Sequence, residues 1–390
     1  MHKGDWNYIR NLNRRVILEE IVKNASLSRS ELARITGLNK ATISTQIHDL
    51  LEQGLVIETR TEALDTPGRK PIIIEMNERA GFTIGVDIDE LSTNIIFCDL
   101  KGRRLHQKQL HLDTYHFESM LDELIHQLQT EIDVFQHGTS APPLAGIGVG
   151  IHGIVNNDSQ IVYTPKQEWI DLDVKTRLEE AFDAPVHVDN SANLAVYAEH
   201  VYAKHVSDLF CLTLYSGIGL GMVKDSVIYR GHQGFAGEIG HMIIEPNGKP
   251  CPCGNHGCWE LYASNKAFFK LLHENDDEFH TQEQVSKHLE TMDAEQEIDE
   301  YIFYLSIGVN NVINIFNPGR IIINSPLFAS KPELLDRVEA SLQSKFNNYE
   351  ELKISSLNED ACALGAAALA FKKFLGVHHV DHSASFPAPQ

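Results

Sequence analysis

Over residues 7–22 the apolar positions Ile9, Leu12, Val16, Ile17, Ile21 and Val22 recur at helical spacing, which predicts an amphipathic first helix. Ser28 and Glu31 stand in the relation of a capping box and open a short helix carrying Leu32, Ala33 and Ile35. Thr36, Gly37 and Leu38 form a tight turn, and Asn39 is placed to cap the next helix. There Ile43, Ile47, Leu50 and Leu51 make the inward stripe, leaving Lys40, Thr42, Ser44, Thr45, Gln46 and His48 mostly outside until Gly54 ends the helix. Two short helices joined by a glycine turn are a helix-turn-helix, with the second as the reading helix. Its polar, hydroxyl-rich outer face suits a major groove and offers little to a protein core. Residues 55–58 and 71–75 read as two strands, and Thr66, Pro67, Gly68, Arg69 and Lys70 between them form a basic wing tip suited to a phosphate backbone. The candidate DNA contacts are therefore Lys40, Thr42, Ser44, Thr45, Gln46, Arg69 and Lys70.

From Gly81 the period changes. Strands are predicted at Phe82–Val86, Ile95–Asp99, Leu105–Leu112, Leu144–Ile151 and Val186–Val188, with a helix near 117–135. The strand-strand-strand opening then repeats at Leu209–Tyr215, Gly219–Val223 and Val227–Tyr229. Such a repeat predicts a duplicated α/β fold with a cleft between two lobes. Residues 262–317 read as mainly helical, with an acidic, solvated run near 290–300; Arg320–Ile323 is a late strand and Ala361–Phe374 a closing helix of small residues. The tail 377–390, with His378, His379 and His382, is expected to be a disordered end.

Length and composition fit a soluble chain of two or three domains: 390 residues, 43% hydrophobic, with no apolar run of membrane-spanning length and no apolar leader segment, which points to the cytoplasm. The net charge of −21 argues at first against a polyanionic partner. Residues 1–80, however, hold 12 Lys/Arg against 11 Asp/Glu, a net of +1, so residues 81–390 hold −22. The N-terminal part is the region where DNA is not repelled.

Of six cysteines, Cys98, Cys211 and Cys362 lie in apolar surroundings, while Cys251, Cys253 and Cys258 cluster. With His241 they give H-x9-C-x-C-x4-C, a donor set suited to a closed, tetrahedral zinc site in a reducing compartment. His256 is a rival fourth ligand on spacing alone. Glu238 and Glu260 flank this loop, and a metal between them would fix two anionic acceptors for a polyhydroxylated ligand.

The motifs Gly85-Val-Asp-Ile88, Gly148-Val-Gly-Ile-His-Gly153, Asn190-Ser-Ala-Asn193, Ser216-Gly-Ile-Gly-Leu-Gly221, Gly237-Glu-Ile-Gly-His241 and the cysteine loop through Glu260 resemble the ROK family of sugar kinases and sugar-responsive repressors. The resemblance runs to about residue 375, and the N-terminal helix-turn-helix matches the repressor branch. Residues 38–44, 163–173 and 258–264 look closest to the xylose repressors of Gram-positive bacteria within that branch. It implies a winged helix-turn-helix (1–80) followed by an actin-like, ribonuclease-H-like sugar-kinase fold. The first lobe would take 81–189 plus 356–376, and the second, with the zinc loop and sugar site, 190–355.

It also implies that Asn190, Ser191, Glu238, His241 and Glu260 meet an effector monosaccharide, xylose or a related aldose, and that His241 is the fourth zinc ligand. The implied partners are double-stranded operator DNA and further copies of the chain, as homodimer or homotetramer. Two departures bear on chemistry. Kinases of this family have an Asp as base where this chain has Ser191, and losing a positioned base costs roughly 10²- to 10⁴-fold. Their glycine-rich phosphate hairpin is here Asp87-Ile-Asp89-Glu90-Leu91-Ser92, whose carboxylates repel phosphate. A non-catalytic repressor is expected; the alternative is an active glucokinase-like enzyme with a DNA-binding head.

Overall fold

The computed structural model describes residues 3–24, 26–60, 71–89, 92–111, 114, 116–136, 142–202, 206–272 and 294–383. At the N-terminus α1 (Lys3–Asn24) and β1 (Leu27–Ser28) lead into α2 (Arg29–Thr36) and α3 (Lys40–Glu52), followed by β2 (Val56–Arg60) and β3 (Ile72–Met76). The strands form an antiparallel sheet in the order β1-β3-β2. Ile17, Leu18, Ile21, Leu32, Ile43, Ile47, Leu50 and Ile74 are all fully buried between helices and sheet. The expected wing thus has its two strands, while its tip, with Arg69 and Lys70, lies outside the described residues.

The body carries one strand pattern twice. In the first half β4 (Phe82–Ile88), β5 (Ser92–Asp99) and β6 (Arg104–His111) run antiparallel to their neighbours. After α4 (Phe117–Gln136), β7 (Leu144–Ile151) joins β4 in parallel. A small antiparallel sheet of β8 (Ile154–Val155), β9 (Ile161–Tyr163) and β10 (Ile170–Leu172) follows, then α5 (Val174–Phe182) and β11 (Val186–Asn190), parallel to β7.

In the second half, after α6 (Ser191–Tyr202), β12 (Leu209–Leu214), β13 (Ile218–Lys224) and β14 (Val227–Ile228) repeat the antiparallel opening. Next come α7 (Glu260–Ala263), α8 (Asn265–Leu271) and α9 (Glu295–Phe316), then β15 (Arg320–Asn324), parallel to β12. After α10 (Pro326–Ser330) and α11 (Leu334–Ser341), β16 (Glu351–Ile354) pairs in parallel with β15, and α12 (Ala361–Leu375) closes the fold. The orders β6-β5-β4-β7-β11 and β14-β13-β12-β15-β16 are the same arrangement, so the expected duplication is present.

The halves meet at α6 and α12. A Cβ added at Gly365 of α12 would lie 1.9 Å from the Leu194 carbonyl oxygen of α6. Gly85 and Gly148 leave the same room for α12 over the first sheet, with the Ala363 and Ala366 carbonyls at 1.8 and 2.0 Å from the would-be Cβ atoms. Such approaches exclude any side chain, so glycine and alanine dominate this junction.

The tail corrects an expectation. Residues 377–383 are ordered against the body rather than free: Val377, Val380 and His382 are buried. The His382 ring packs on Tyr202 and Phe371, its backbone N–H donates to the Val201 carbonyl at 2.9 Å, and that of His378 donates to Glu19 of α1 at 2.7 Å. Val377 and Val380, separated by two exposed histidines, find a groove beyond α12 that only the tertiary fold creates. Residues 384–390 lie outside the described part.

Candidate functional site

The reading helix is built by local hydrogen bonds. Ser28 and Glu31 form the full capping box of α2, with the Ser28 N–H donating to Glu31 at 2.8 Å and the Glu31 N–H to Ser28 Oγ at 3.3 Å. Gly37 ends α2 at φ 70, and the Thr42 N–H donates to Asn39 Oδ1 at 2.8 Å to start α3. Arg10 on α1 bonds Asp49 at 2.7 Å and Arg14 bonds Gln53 at 2.6 Å, which fixes α3 from behind. Lys40, Ser44, Thr45 and His48 are exposed and Thr42 is half-buried.

Gln46 does not belong with them. It is 5% exposed, because three residues after Ile43 and four before Leu50 it falls on the buried stripe itself. Of the five expected α3 contacts the structure thus leaves Lys40, Ser44 and Thr45 exposed and Thr42 half-buried, and it withdraws Gln46.

The second site is a cleft of about 890 Å³ between the halves, lined by Asn190, Ser191, Glu238, His241 and Glu260 together. Glu260, at the start of α7, places Oε1 3.4 Å from His241 Nδ1 and 3.7 Å from Cys251 Sγ. Glu238 is open to the cleft space yet flanked by its walls. Desolvation by those walls raises its carboxyl first; His241 opposes the shift and the Glu260 charge adds to it. Asn190 has a structural task as well. Its Oδ1 accepts from the Ala192 and Asn193 N–H groups at 2.8 and 3.2 Å, capping α6, while Nδ2 donates to the Gly153 carbonyl at 2.7 Å. Ser191, at the first turn of the same helix, faces the cleft.

His241, Cys251, Cys253 and Cys258 offer four donor atoms that all lie within 4.8 Å of one another, a group that could hold a metal ion. Cys251 Sγ is 3.7 Å from His241 Nδ1, and the Cys253 and Cys258 sulfurs are 3.6 Å apart. His256 is not in the group; it is exposed, and its backbone pairs with Pro250. Burial, then the neighbouring thiols, push Cys258 up to about 12, the state of a protonated thiol when no cation is near. The other three cysteines are buried and form no disulfide.

On the far side of the cleft Asp87 and Asp89 meet a partner that spacing could not reveal. His152 Nε2 lies 3.1 Å from Asp87 and Nδ1 3.5 Å from Asp89, so one imidazole sits between both carboxylates. Glu90 and Leu91 of the same hairpin lie outside the described residues. Asp189, buried beside the cleft, is held by Arg230 and by Asn193 Nδ2 at 3.1 Å. Gln167, Tyr215 and Lys249 also line the cavity and carried no motif of their own; Gln167 Nε2 reaches the Asp89 carbonyl at 3.3 Å. Among the described residues no helix is long and apolar enough to cross a membrane.

Comparison with known proteins bears on the family and the fold. Residues 83–373 match the ROK family, and residues 10–57 match a winged helix-turn-helix DNA-binding family. The xylose repressor of Bacillus subtilis (strain 168) is 34% identical over 385 residues, covering 96% of this chain and 99% of its own. A putative xylose repressor of a Caldicellulosiruptor species is 29% identical, over 95% of this chain and 98% of its own. Among solved structures, a ROK family transcriptional regulator homologous to the E. coli MLC protein superposes with a TM-score of 0.79 at 22% identity, over 94% of this chain and 97% of that one. A ROK glucokinase from Streptomyces griseus, in complex with glucose and AMPPNP, gives 0.64 at 24% identity over 74% of this chain and 99% of its own, which shows the shared fold of the body. On the match across its body and on identity over nearly its full length, the chain belongs to the ROK family.

Proposed function

We propose that this chain is a transcriptional repressor that grips operator DNA through α3 and lets go when a free monosaccharide, xylose or a related aldose, fills the cleft. The observation that carries the reading is the joining, in one chain, of a capped reading helix with an exposed polar face to a cleft bearing Glu238, His241 and Glu260. Carboxylates on one wall accept from sugar hydroxyls, and such charge-assisted bonds are about twice as strong as neutral ones. Relatives named as xylose repressors over nearly the whole chain support the choice of sugar. Lys40, Ser44 and Thr45 are the base- and phosphate-facing side chains of α3, Thr42 adds its hydroxyl at the edge, and Arg69 and Lys70 supply the wing's phosphate contacts.

The chain is not a catalyst in this reading. Ser191 stands where phosphoryl transfer needs a base, and a hydroxyl cannot take the sugar proton at neutral pH. Asp87 and Asp89, engaged by His152, occupy the hairpin where phosphate would approach.

The metal is zinc, held by His241, Cys251, Cys253 and Cys258. Four donors about 2.3 Å from a tetrahedral centre lie roughly 3.8 Å apart, close to the 3.6 and 3.7 Å separations of these atoms. Bound there, zinc would stabilise the thiolates and lock the loop that ends in Glu260; its role is structural. With two copies on one operator, paired reading helices would meet half-sites about 34–36 Å apart or a multiple of that.

The test is a gel-shift titration of the purified chain on its own upstream DNA with a panel of aldoses. Xylose at millimolar levels releases the complex if the reading holds. Retention of the complex with every aldose, or steady ADP release in a coupled kinase assay, overturns it.

A further inference from the structure

The antiparallel ribbon of β5 and β6, eight residues a strand and so roughly 25 Å long, joins the cleft to the DNA-binding head. Ser92, Asn94, Gln107 and Gln109 on it line the cavity. One carboxylate grips the ribbon there. Asp360, just before α12, accepts from Asn94 Nδ2 at 2.9 Å, Gln107 Nε2 at 2.7 Å and Arg104 Nη2 at 2.6 Å. Its neighbours Asn358 and Glu359 are cavity residues, and the Asn358 carbonyl accepts at 3.0 Å from Asn324 Nδ2, at the end of β15. Asp360 therefore stands where the second sheet's side of the cleft hands over to α12.

At the far end the ribbon turns over residues 100–103, and that turn is built to be stiff. The buried Asp99 carboxylate accepts from the Lys101 and Arg103 N–H groups at 2.8 and 2.9 Å, and the Gly102 carbonyl accepts at 3.1 Å from the Tyr202 hydroxyl, on the last residue of α6. The turn presents two cations to the head. Lys101 Nζ lies 3.4 Å from Glu75 in β3 and 3.6 Å from Glu78 just beyond it, and Arg103 Nη1 donates to Glu78 at 3.0 Å. Register explains the meeting: Phe82 pairs with Asp99, so the residues between β3 and β4 pass beside this turn. A lone exposed ion pair holds little, but here four charges share one network and Lys101 and Glu75 are half-buried.

We infer that the β5–β6 ribbon is the lever by which the cleft's occupant acts on the head, with Asp360 gripping it at the cavity and Lys101 and Arg103 as positioning residues at β3. This deepens the function proposed above and rests on it. A sugar drawn between the halves shifts the residues around Asn358 against the first sheet, and Asp360 carries that shift to the ribbon. The stiff turn passes it on to β3 through the two cations. Since β3 is the central strand of the head's sheet, paired with both β1 and β2, moving it moves the support of α2 and α3. The ligand's differential affinity for the two arrangements supplies the free energy, and the ribbon supplies the route.

The test compares the full-length chain with Lys101→Ala/Arg103→Ala and with Arg337→Ala, which removes a cation paired elsewhere on the surface. Operator affinity is read by fluorescence anisotropy without sugar and with saturating xylose, and the ratio of the two is the quantity of interest. Sugar affinity is read by isothermal titration without DNA. In the double variant the sugar constant and the sugar-free operator constant should each stay within about threefold of the parent, while the ratio falls by about tenfold or more. Arg337→Ala should keep the parent's ratio. Reversing the pair supplies the rescue: Arg103→Glu alone lowers the ratio, and adding Glu78→Arg restores it. A merely structural role would lower the melting temperature and leave the ratio where it was. An unchanged ratio in the double variant, a failed rescue, or loss of sugar-free operator binding overturns the inference. If the double variant shows no sugar-induced rise in melting temperature, Lys101→Gln/Arg103→Gln decides by the same ratio. A parent that no aldose releases sinks the repressor reading and the lever with it; a parent that releases while the variant's ratio holds sinks the lever alone.

Discussion

On the function proposed above, replacing Glu260 by Gln should separate recognition of the effector from recognition of DNA. Its carboxylate lies at the cleft wall, its side chain 23% exposed, with Oε1 beside His241 and Oε2 near Gly217 and Gly240. The amide keeps the shape but loses the charge and one of two acceptors. A sugar hydroxyl bonded to an ionised group is worth about 1.5–3 kcal/mol against about 0.5–1.5 for a neutral pair. The charge difference and the lost acceptor together cost about 2–3 kcal/mol, a roughly 30- to 150-fold weaker sugar dissociation constant. Isothermal titration with xylose reads that constant directly, and the inducer midpoint in the gel shift should move by the same factor. Operator affinity without sugar should stay within about twofold, because α3 and the cleft share no side chain. Metal content should also persist, since Glu260 is no member of the four-donor group. An unchanged sugar constant in a metal-loaded, folded variant would refute the assignment of this wall.

Three further outcomes follow from the geometry. Gly308→Ala drives a methyl into the Trp259 ring, and overpacking of this kind costs about 1–3 kcal/mol, to be read as a lower midpoint in chemical denaturation together with a weaker sugar response. His382 is buried neutral, its ring pulled down to about 4 chiefly by desolvation. A base with a folded pKa below its unfolded value of about 6.5 contributes stability that is whole above that value and lost as pH falls through the window to 4, here about 3 kcal/mol; the His382→Gln variant should show a flatter stability profile there. Lys40→Ala should weaken operator binding and lower the salt slope by about one phosphate contact, whereas Gln46→Ala should act on the melting temperature rather than on that slope.

What could be read from the sequence was local or repetitive. The Ser28–Glu31 box and the Asn39 cap involve atoms three residues apart, and the doubled strand pattern announces itself in hydrophobic runs. The donor loop was equally legible, because its turns bring close in space what is close in order. One error was local: Gln46 lies three residues after Ile43 and four before Leu50, so its place on the buried stripe was open to a reading by helical period. The other came where burial depends on a remote surface, since the tail's Val380 and His382 need α6 and α12 to be covered. The clasp of His152 on Asp87 and Asp89 joins positions more than sixty apart. Small elements escaped too: β8, β9 and β10 are too short for any period to show, and α6 was hidden by reading Asn190 for its ligand and not for its cap.

The seam where α12 passes α6 and the first sheet has an evolutionary corollary. At Gly85, Gly148 and Gly365 nothing beyond hydrogen can be accommodated, so this seam is nearly closed to mutation. A descendant that answers to a different carbohydrate would leave the seam as it is and vary the loops around the cavity mouth.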